Sequence, residues 1–244
     1  MRKSVVVGAS SGLGRAIAEK LAEKGDELHL LARDERDLDP LAHDFFVRFG
    51  AKVGWTAVDL AKFDAPALVE HLIDEMGGVD NVFLVAGLGD DADAGPLPDA
   101  QLRMLVEVNY ISLTRIANAF LAHLTGRPKA NLVGIGSIAA VRGRRANMVY
   151  GSAKRGLEAY FEAGRHFLAS SGCRVQFYRA GFMHTSMLGN RRSILPAAAP
   201  DVVAARIVAN LDRDLGTTYI PSWWRWVGLV LRVLPWIIFK RLSI

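Results

Sequence analysis

The sequence predicts an α/β chain, doubly wound, with a seven-stranded parallel sheet covered by helices on both faces. Short apolar runs rich in Val, Ile and Leu recur along the chain and alternate with stretches of helical apolar spacing, the pattern of strands buried on both faces. The chain opens on a β-branched run that passes through glycines into a helix. Its 244 residues, 51% hydrophobic and 23% charged, suit one large core, whereas two halves would each be left with a small one.

The elements follow in order. Lys3 to Val7 is the first strand, and Gly8-Ala-Ser10-Ser11-Gly12-Leu13-Gly14 turns into a helix whose apolar positions include Ile17, Ala18 and Leu21. Glycines let a backbone approach a pyrophosphate closely, and a helix N-terminus offers it N–H groups and a positive dipole end. The alternative reading is a tight turn with no ligand. Asp26 to Ala32 is the second strand, with Ala32 in the place where an acid would bind a ribose 2′-hydroxyl and Arg33 directly after it. An arginine there suits a 2′-phosphate, which favours NADPH over NADH, although Asp34 and Glu35 stand close by. Otherwise Arg33 is a solvated charge in a polar turn.

Arg36 to Phe49 is a helix, and Lys52 to Val58 a third strand ending at Asp59-Leu60, where the carboxylate would accept from an adenine amino group. Ala65 to Met76 is amphipathic and leads to a fourth strand, Asn81 to Val85, with Ala86, Gly87 and Gly89 bringing backbone near a cofactor once more. Asp90 to Asp99 is acidic, holds Pro96 and Pro98, and is a loop. A long helix is expected over Gln101 to Leu124 with Asn109 in mid-course, by default a packing residue. Asn131 to Ser137 and Arg174 to Tyr178 are the fifth and sixth strands. Asp201 to Leu211 is a helix, and Thr217 to Ile220 the last strand. The segment holding His184, Met187, Leu188, Arg191, Arg192 and Pro196 is expected to be a mobile flap over substrate, with His184 a packing or surface residue.

Tyr150-Gly-Ser-Ala-Lys154 carries the chemistry. On a helix from Asn147 to about Ser170 the phenol and the ammonium lie one turn apart and point the same way. A cation beside the phenol would lower a pKa that starts near 10. Ser137, at the tip of the preceding strand, would hydrogen-bond the oxygen that Tyr150 protonates, so the three describe a carbonyl-reduction site. A lone Tyr-x-x-x-Lys would be a surface pair. The serine and the glycine turn argue otherwise.

Charge is divided along the chain. Residues 1–100 hold 10 Lys and Arg against 19 Asp and Glu, a balance of −9, and residues 101–244 hold 20 against 6, a balance of +14. The basic half would face cofactor phosphates, a phosphorylated substrate or an anionic membrane surface, or the excess is simply solvated. No nucleic-acid module is visible. Arg142, Arg144 and Arg145 lie beside the Tyr-Lys pair and would receive a substrate phosphate, or else belong to an exposed turn or subunit contact. The single Cys173 rules out an internal disulfide and is compatible with a reducing compartment. No signal peptide opens the sequence, and no metal is expected.

Residues 222–244 form an extension beyond the body at 1–221. Trp223 to Phe239 is apolar and tryptophan-rich, is interrupted by Pro235 and is followed by Lys240-Arg241. It is too short and too charged to span a bilayer comfortably. A C-terminal amphipathic helix at the membrane interface fits its composition, with contact through residues 223–241. The alternatives are a helix packed on a partner subunit or over the active site.

These residues resemble the short-chain dehydrogenase/reductase family of the NADPH-preferring kind, over Lys3 to about Ile220. Gly8, Gly12 and Gly14 fall on its glycine motif, Ser137, Tyr150 and Lys154 on its catalytic triad, and Asn109 on the helix asparagine that makes it a tetrad. The resemblance implies a Rossmann fold binding NADPH. Tyr150 would be the general acid, Lys154 would lower its pKa and bind the nicotinamide ribose, Ser137 would fix the carbonyl, and Asn109 would hold a relay water. Thr185 falls where the family binds the nicotinamide carboxamide, just past Gly181. Val7, Val85 and Ala180 depart from the family's usual threonine, asparagine and proline, which would weaken hydrogen bonds that steady the cofactor loops.

A narrower resemblance, carried by Arg144 to Ser152 and by Val230 to Leu242, is to the decaprenylphosphoryl-2-ketoribose reductases of cell-wall biosynthesis. It implies a 2-keto sugar on a polyprenyl phosphate as substrate, arginines at a lipid phosphate, and a cytoplasmic homo-oligomer working at the inner face of the cell membrane. Alternatives are reduction of another hydrophobic ketone, such as a steroid or acyl thioester, or a non-catalytic NADP-binding scaffold.

Overall fold

Seven parallel strands form one sheet: β1 (Lys3–Val7), β2 (Glu27–Ala32), β3 (Val53–Ala57), β4 (Asn81–Leu84), β5 (Asn131–Ser137), β6 (Arg174–Ala180) and β7 (Thr217–Ile220). Their order is β3-β2-β1-β4-β5-β6-β7, so the direction of winding reverses between β1 and β4. Such a reversal opens a crevice at the carboxyl ends of the strands. The computed structural model describes residues 1–89, 91–185, 187 and 195–242. The flap residues Leu188, Arg191 and Arg192 lie outside these.

Two cores flank the sheet. On one face α1 (Gly12–Glu23), α2 (Glu35–Phe49) and α7 (Pro200–Ala209) bury Ile17, Leu21, Phe45 and Ile207 against the strands. On the other, α3 (Ala65–Met76), α5 (Ser112–Thr125) and α6 (Met148–Phe167) bury Leu72, Ile116, Phe120 and Leu157. The pleat divides β1 accordingly: Val6 packs into the first core, Val5 and Val7 into the second. Both faces are apolar because both are covered, which is why the strands read as unbroken apolar runs.

At the amino-terminal edge of the sheet, away from the crevice, a polar rung crosses three strands. Ser4, Asn81 and Asn131 stand in register. Asn131 Nδ2 donates to Asn81 Oδ1 at 2.8 Å, Asn81 Nδ2 to Ser4 Oγ at 2.8 Å, and Ser4 Oγ to Asp26 Oδ2 at 3.0 Å. The three bonds link the rung into one chain, and among the described residues Asn131 Oδ1 is its one buried atom without a partner.

Two expectations are corrected. The helix expected over 101–124 is α4 (Asp99–Val106) and α5 joined by a π-helical turn, Glu107–Ile111, that carries Asn109. The single tail helix is two, α8 (Trp224–Val233) and α9 (Trp236–Phe239). Pro235 causes the break: it has no N–H to continue the ladder and holds Leu234 extended, at φ −60 and ψ 123.

Candidate active site

The glycine turn is built for close approach. Gly8 adopts φ +89, and a Cβ there would lie 2.7 Å from the Cα and N of Ala86. A Cβ on Gly14 would fall 1.9 Å from Gly8 O. Ser11, at the N-cap of α1, makes no side-chain cap bond, so it does not occupy the first-turn amides that face the crevice. Above the turn, the Thr185 methyl would stand 3.2 Å from a Cβ on Gly12. This cradle fits a dinucleotide pyrophosphate. The residues that depart from the family pattern leave backbone bonds intact: Gly8 N donates to Leu31 O at 2.7 Å, and Val85 N and Ala86 N both donate to Val7 O at 3.0 Å. This main-chain pairing needs no particular side chain.

Ser137 ends β5, and Tyr150 and Lys154 share one face of α6, so sheet and helix bring the three to the crevice. The Ser137 side chain stands beside the Tyr150 phenol, close enough to favour its phenolate. Ser137 Oγ also accepts from Ala139 N at 3.1 Å, which fixes its rotamer. Lys154 is buried, and its Nζ donates to Ala86 O at 3.1 Å and Ile135 O at 3.3 Å. A Cβ on Gly87 would lie 3.5 Å from that Nζ, 3.3 Å from Asn109 Oδ1 and 3.4 Å from Met187 Cε, so these groups converge on the turn after β4.

Electrostatics here runs against one expectation. Burial raises the Tyr150 phenol above its ordinary value, with the neighbouring Ser137 hydroxyl opposing the rise. Burial also pushes Lys154 down to about 7. The ammonium that was to acidify the phenol is itself disfavoured by desolvation, and its hydrogens are directed at two carbonyls.

Asn109 acts as a brace. Its Oδ1 accepts from Leu88 N at 3.0 Å, and its Nδ2 donates to Leu88 O at 2.8 Å and Leu105 O at 2.9 Å. Both amide hydrogens are thus committed to backbone, and the side chain pins the post-β4 turn instead of donating into the crevice.

Sequence reasoning missed Asp93. This residue of the acidic loop is buried, and its carboxylate accepts from Val149 N at 2.9 Å and Tyr150 N at 2.8 Å. Asn147, the residue before α6, is left-handed at φ 61 and makes no side-chain cap bond of its own. A carboxylate distant in sequence therefore caps the catalytic helix and holds Tyr150 by its backbone. The only sequence signal was a surplus of acids in a loop. Replacing Asp93 with Ala is expected to cost about 1–2 kcal/mol of stability, the usual cost of a lost N-cap, and to lower kcat more than it changes KM. Asn, whose single amide oxygen can accept only one of the two N–H groups, should recover only part of each loss; urea unfolding with steady-state kinetics on the two variants checks this.

Other expected site residues are dispersed. Arg33 is exposed at the end of β2, with its Nε 3.3 Å from Asp34 Oδ2. Asp59 is exposed and accepts from Ala61 N at 2.9 Å, and Leu60 O accepts from the Ser112 hydroxyl. Gly181 N donates to Ile220 O at 2.9 Å, and a Cβ on Gly181 would collide with Trp224 Nε1 at 1.8 Å. Arg145 is exposed and donates to Ala94 O at 3.2 Å, and Arg144 is half-buried. Arg142 does not face the crevice: its Nη1 donates to Leu231 O at 2.7 Å and Leu234 O at 2.5 Å, and its guanidinium lies 4.0 Å from the centre of the Phe239 ring.

Comparison with known proteins places this geometry. The model of the short chain dehydrogenase family matches residues 2–195. An uncharacterised oxidoreductase of Streptomyces coelicolor is 31% identical over 245 residues, covering 100% of this chain and 96% of the relative. One from Mycobacterium tuberculosis is 28% identical over 245 residues, covering 99% and 96%. Among solved structures, a short-chain dehydrogenase from Sphingobium yanoikuyae in complex with NADPH superposes with a TM-score of 0.84 at 26% identity, covering 94% of this chain and 92% of that one. A glycine cradle at the sheet's winding reversal, with Ser137, Tyr150 and Lys154 gathered beside it, is what these relationships lead one to expect, and the chain belongs to the short-chain dehydrogenase family of oxidoreductases, acting between C=O and CH–OH groups.

Proposed function

We propose that the chain reduces a ketone to a secondary alcohol with NADPH, and that the ketone is a 2-keto sugar carried on a polyprenyl phosphate. The observation that carries the reaction is the placement of Ser137 beside the Tyr150 phenol, with Lys154 one helical turn further along α6. Gly8, Ser10, Ser11, Gly12, Leu13 and Gly14 would hold the pyrophosphate, Ala86, Gly87, Gly181 and Thr185 would line the nicotinamide side, and Asp59 and Leu60 the adenine. Arg33 supports the preference for NADPH: it is solvent-facing where a 2′-phosphate would lie. NADPH, when bound, supplies the hydride.

The chain's own groups manage the oxygen. Tyr150 donates its phenolic proton to the oxygen as negative charge develops, and Ser137 donates a hydrogen bond to the same atom. A phenol held above its ordinary pKa stays protonated until that moment. Lys154 would fix the nicotinamide ribose and compensate the phenolate left after transfer.

The substrate reading rests on the sequence resemblance and on Arg144 and Arg145, which lie on the segment leading into α6. A second reading is reduction of a bulky hydrophobic ketone without phosphate; the residues behind Ser137, Ile138, Val141 and Trp224, are apolar but are packed against one another. NADPH oxidation with a polyprenylphosphoryl 2-keto sugar, the same keto sugar without its lipid phosphate, and a panel of steroid and acyl-thioester ketones separates the two. Preference for the lipid phosphate by a large factor in kcat/KM supports the first reading, and preference for an unphosphorylated hydrophobic ketone replaces it.

A further inference from the structure

The C-terminal helices have an inner face that is spent and an outer face that is not. Inward, Trp224 is 2% exposed, stacks on Trp223 with centroids 4.6 Å apart, and meets Phe182 edge-on at 5.2 Å. Gly228 sits so close to Tyr219 that a Cβ would lie 2.5 Å from its hydroxyl oxygen. Arg142 ties the carbonyls at the end of α8 to the body and lies against Phe239 of α9, so the two short helices are clamped as one unit.

Outward, Trp226, Leu229, Val230 and Val233 recur at helical spacing on one side of α8, and Trp236, Ile237 and Ile238 continue the surface on α9. Trp226 is 59% exposed, Val233 69% and Trp236 66%, too much apolar surface in one place to be scattered exposure. Arg225 and Arg232, seven residues apart, line one edge of the α8 stripe, and Lys240 and Arg241 follow α9; all four are exposed. No Asp or Glu occurs after Asp214. Among the described residues no helix is long and apolar enough to cross a membrane.

From this pairing of exposed Trp and aliphatic side chains with an acid-free basic border, we infer that α8 and α9 form a platform that seats on the surface of an anionic lipid bilayer. Trp and aliphatic side chains enter the headgroup boundary while arginine and lysine meet lipid phosphates. Charge decides against a second copy of the chain as the occupant. A two-fold contact through this face would bring Arg225 and Arg232 of each copy against a tail that holds no acid to receive them. The inference stands on the tail alone and is independent of the substrate.

The full chain is to be floated with vesicles of mixed phosphatidylglycerol and phosphatidylcholine, and with vesicles of phosphatidylcholine alone. Binding to the mixed vesicles is expected, falling as salt rises from about 0.1 M to about 0.5 M. Trp226→Ser with Trp236→Ser should weaken it by about tenfold or more, and Arg225→Glu with Arg232→Glu should remove the preference for anionic lipid. These side chains are exposed, so unchanged thermal melting will show that the variants are folded. Failure of the natural chain to float, or equal flotation of both double variants, overturns the inference. So does a dimer by light scattering that the tryptophan variant dissociates without any flotation, since a second copy would then cover the face.

Discussion

Tyr150→Phe is expected to abolish turnover, by roughly 100- to 10,000-fold in kcat, the range that a positioned general acid contributes, while NADPH affinity stays nearly unchanged. The substitution removes one oxygen. The phenol's position is set by elements that do not use that oxygen: the Asp93 cap holds the Tyr150 backbone and Asn109 braces the facing turn. Ser137 keeps its bond to Ala139 N. The cradle and its glycines are unaltered, so binding followed by quenching of protein fluorescence separates affinity from chemistry. Turnover retained within a few-fold would mean that another group protonates the oxygen. The half-buried hydroxyl, held up in pKa by burial, would then be a packing feature.

The second large effect concerns Lys154 and reads out in stability. Its pKa is about 7 in the folded chain against an ordinary 10.5. Below pH 7 both folded and unfolded chains carry the proton, and the folded state bears the full penalty of a buried ammonium. Between about pH 7 and pH 10 the unfolded chain binds a proton that the folded chain has released. Stability therefore rises with pH across that window, with a slope approaching about 1.4 kcal/mol per pH unit. In Lys154→Met this contribution disappears. Urea unfolding of the cofactor-free enzyme at about pH 7.5 and about pH 9.5 should show natural chain gaining about 2–3 kcal/mol relative to the variant. Comparison with the variant cancels other titrations, such as that of Cys173, which burial pushes up to about 11. Parallel pH profiles for the two proteins would show that Lys154 keeps an ordinary pKa and that its surroundings solvate the charge.

What could be read from the sequence was whatever is encoded at short range. Tyr150 and Lys154 are four apart on a helix, so their shared face follows from 3.6 residues per turn. Strands buried on both sides show themselves as apolar runs, and a glycine turn between strand and helix marks its own position, so the doubly wound sheet and the location of its crevice were legible. Pro235 was visible as an interruption, although only its consequence for Leu234 shows that one helix becomes two.

Contacts between residues distant in the chain were not legible, because no periodicity encodes which loop meets which helix. Asp93 looked like one more acid in a polar loop until its carboxylate was seen on the amides of Val149 and Tyr150. Arg142 was one of three arginines with equal claim on a phosphate, and the return of the tail decided that it clamps α8 and α9 instead. Likewise the direction in which Lys154 and Tyr150 shift depends on how completely neighbouring elements exclude water from them. Local spacing thus determined the fold class and the candidate catalytic groups, whereas burial and long-range hydrogen bonding, properties of the assembled sheet and helices alone, decided how those groups are held and charged.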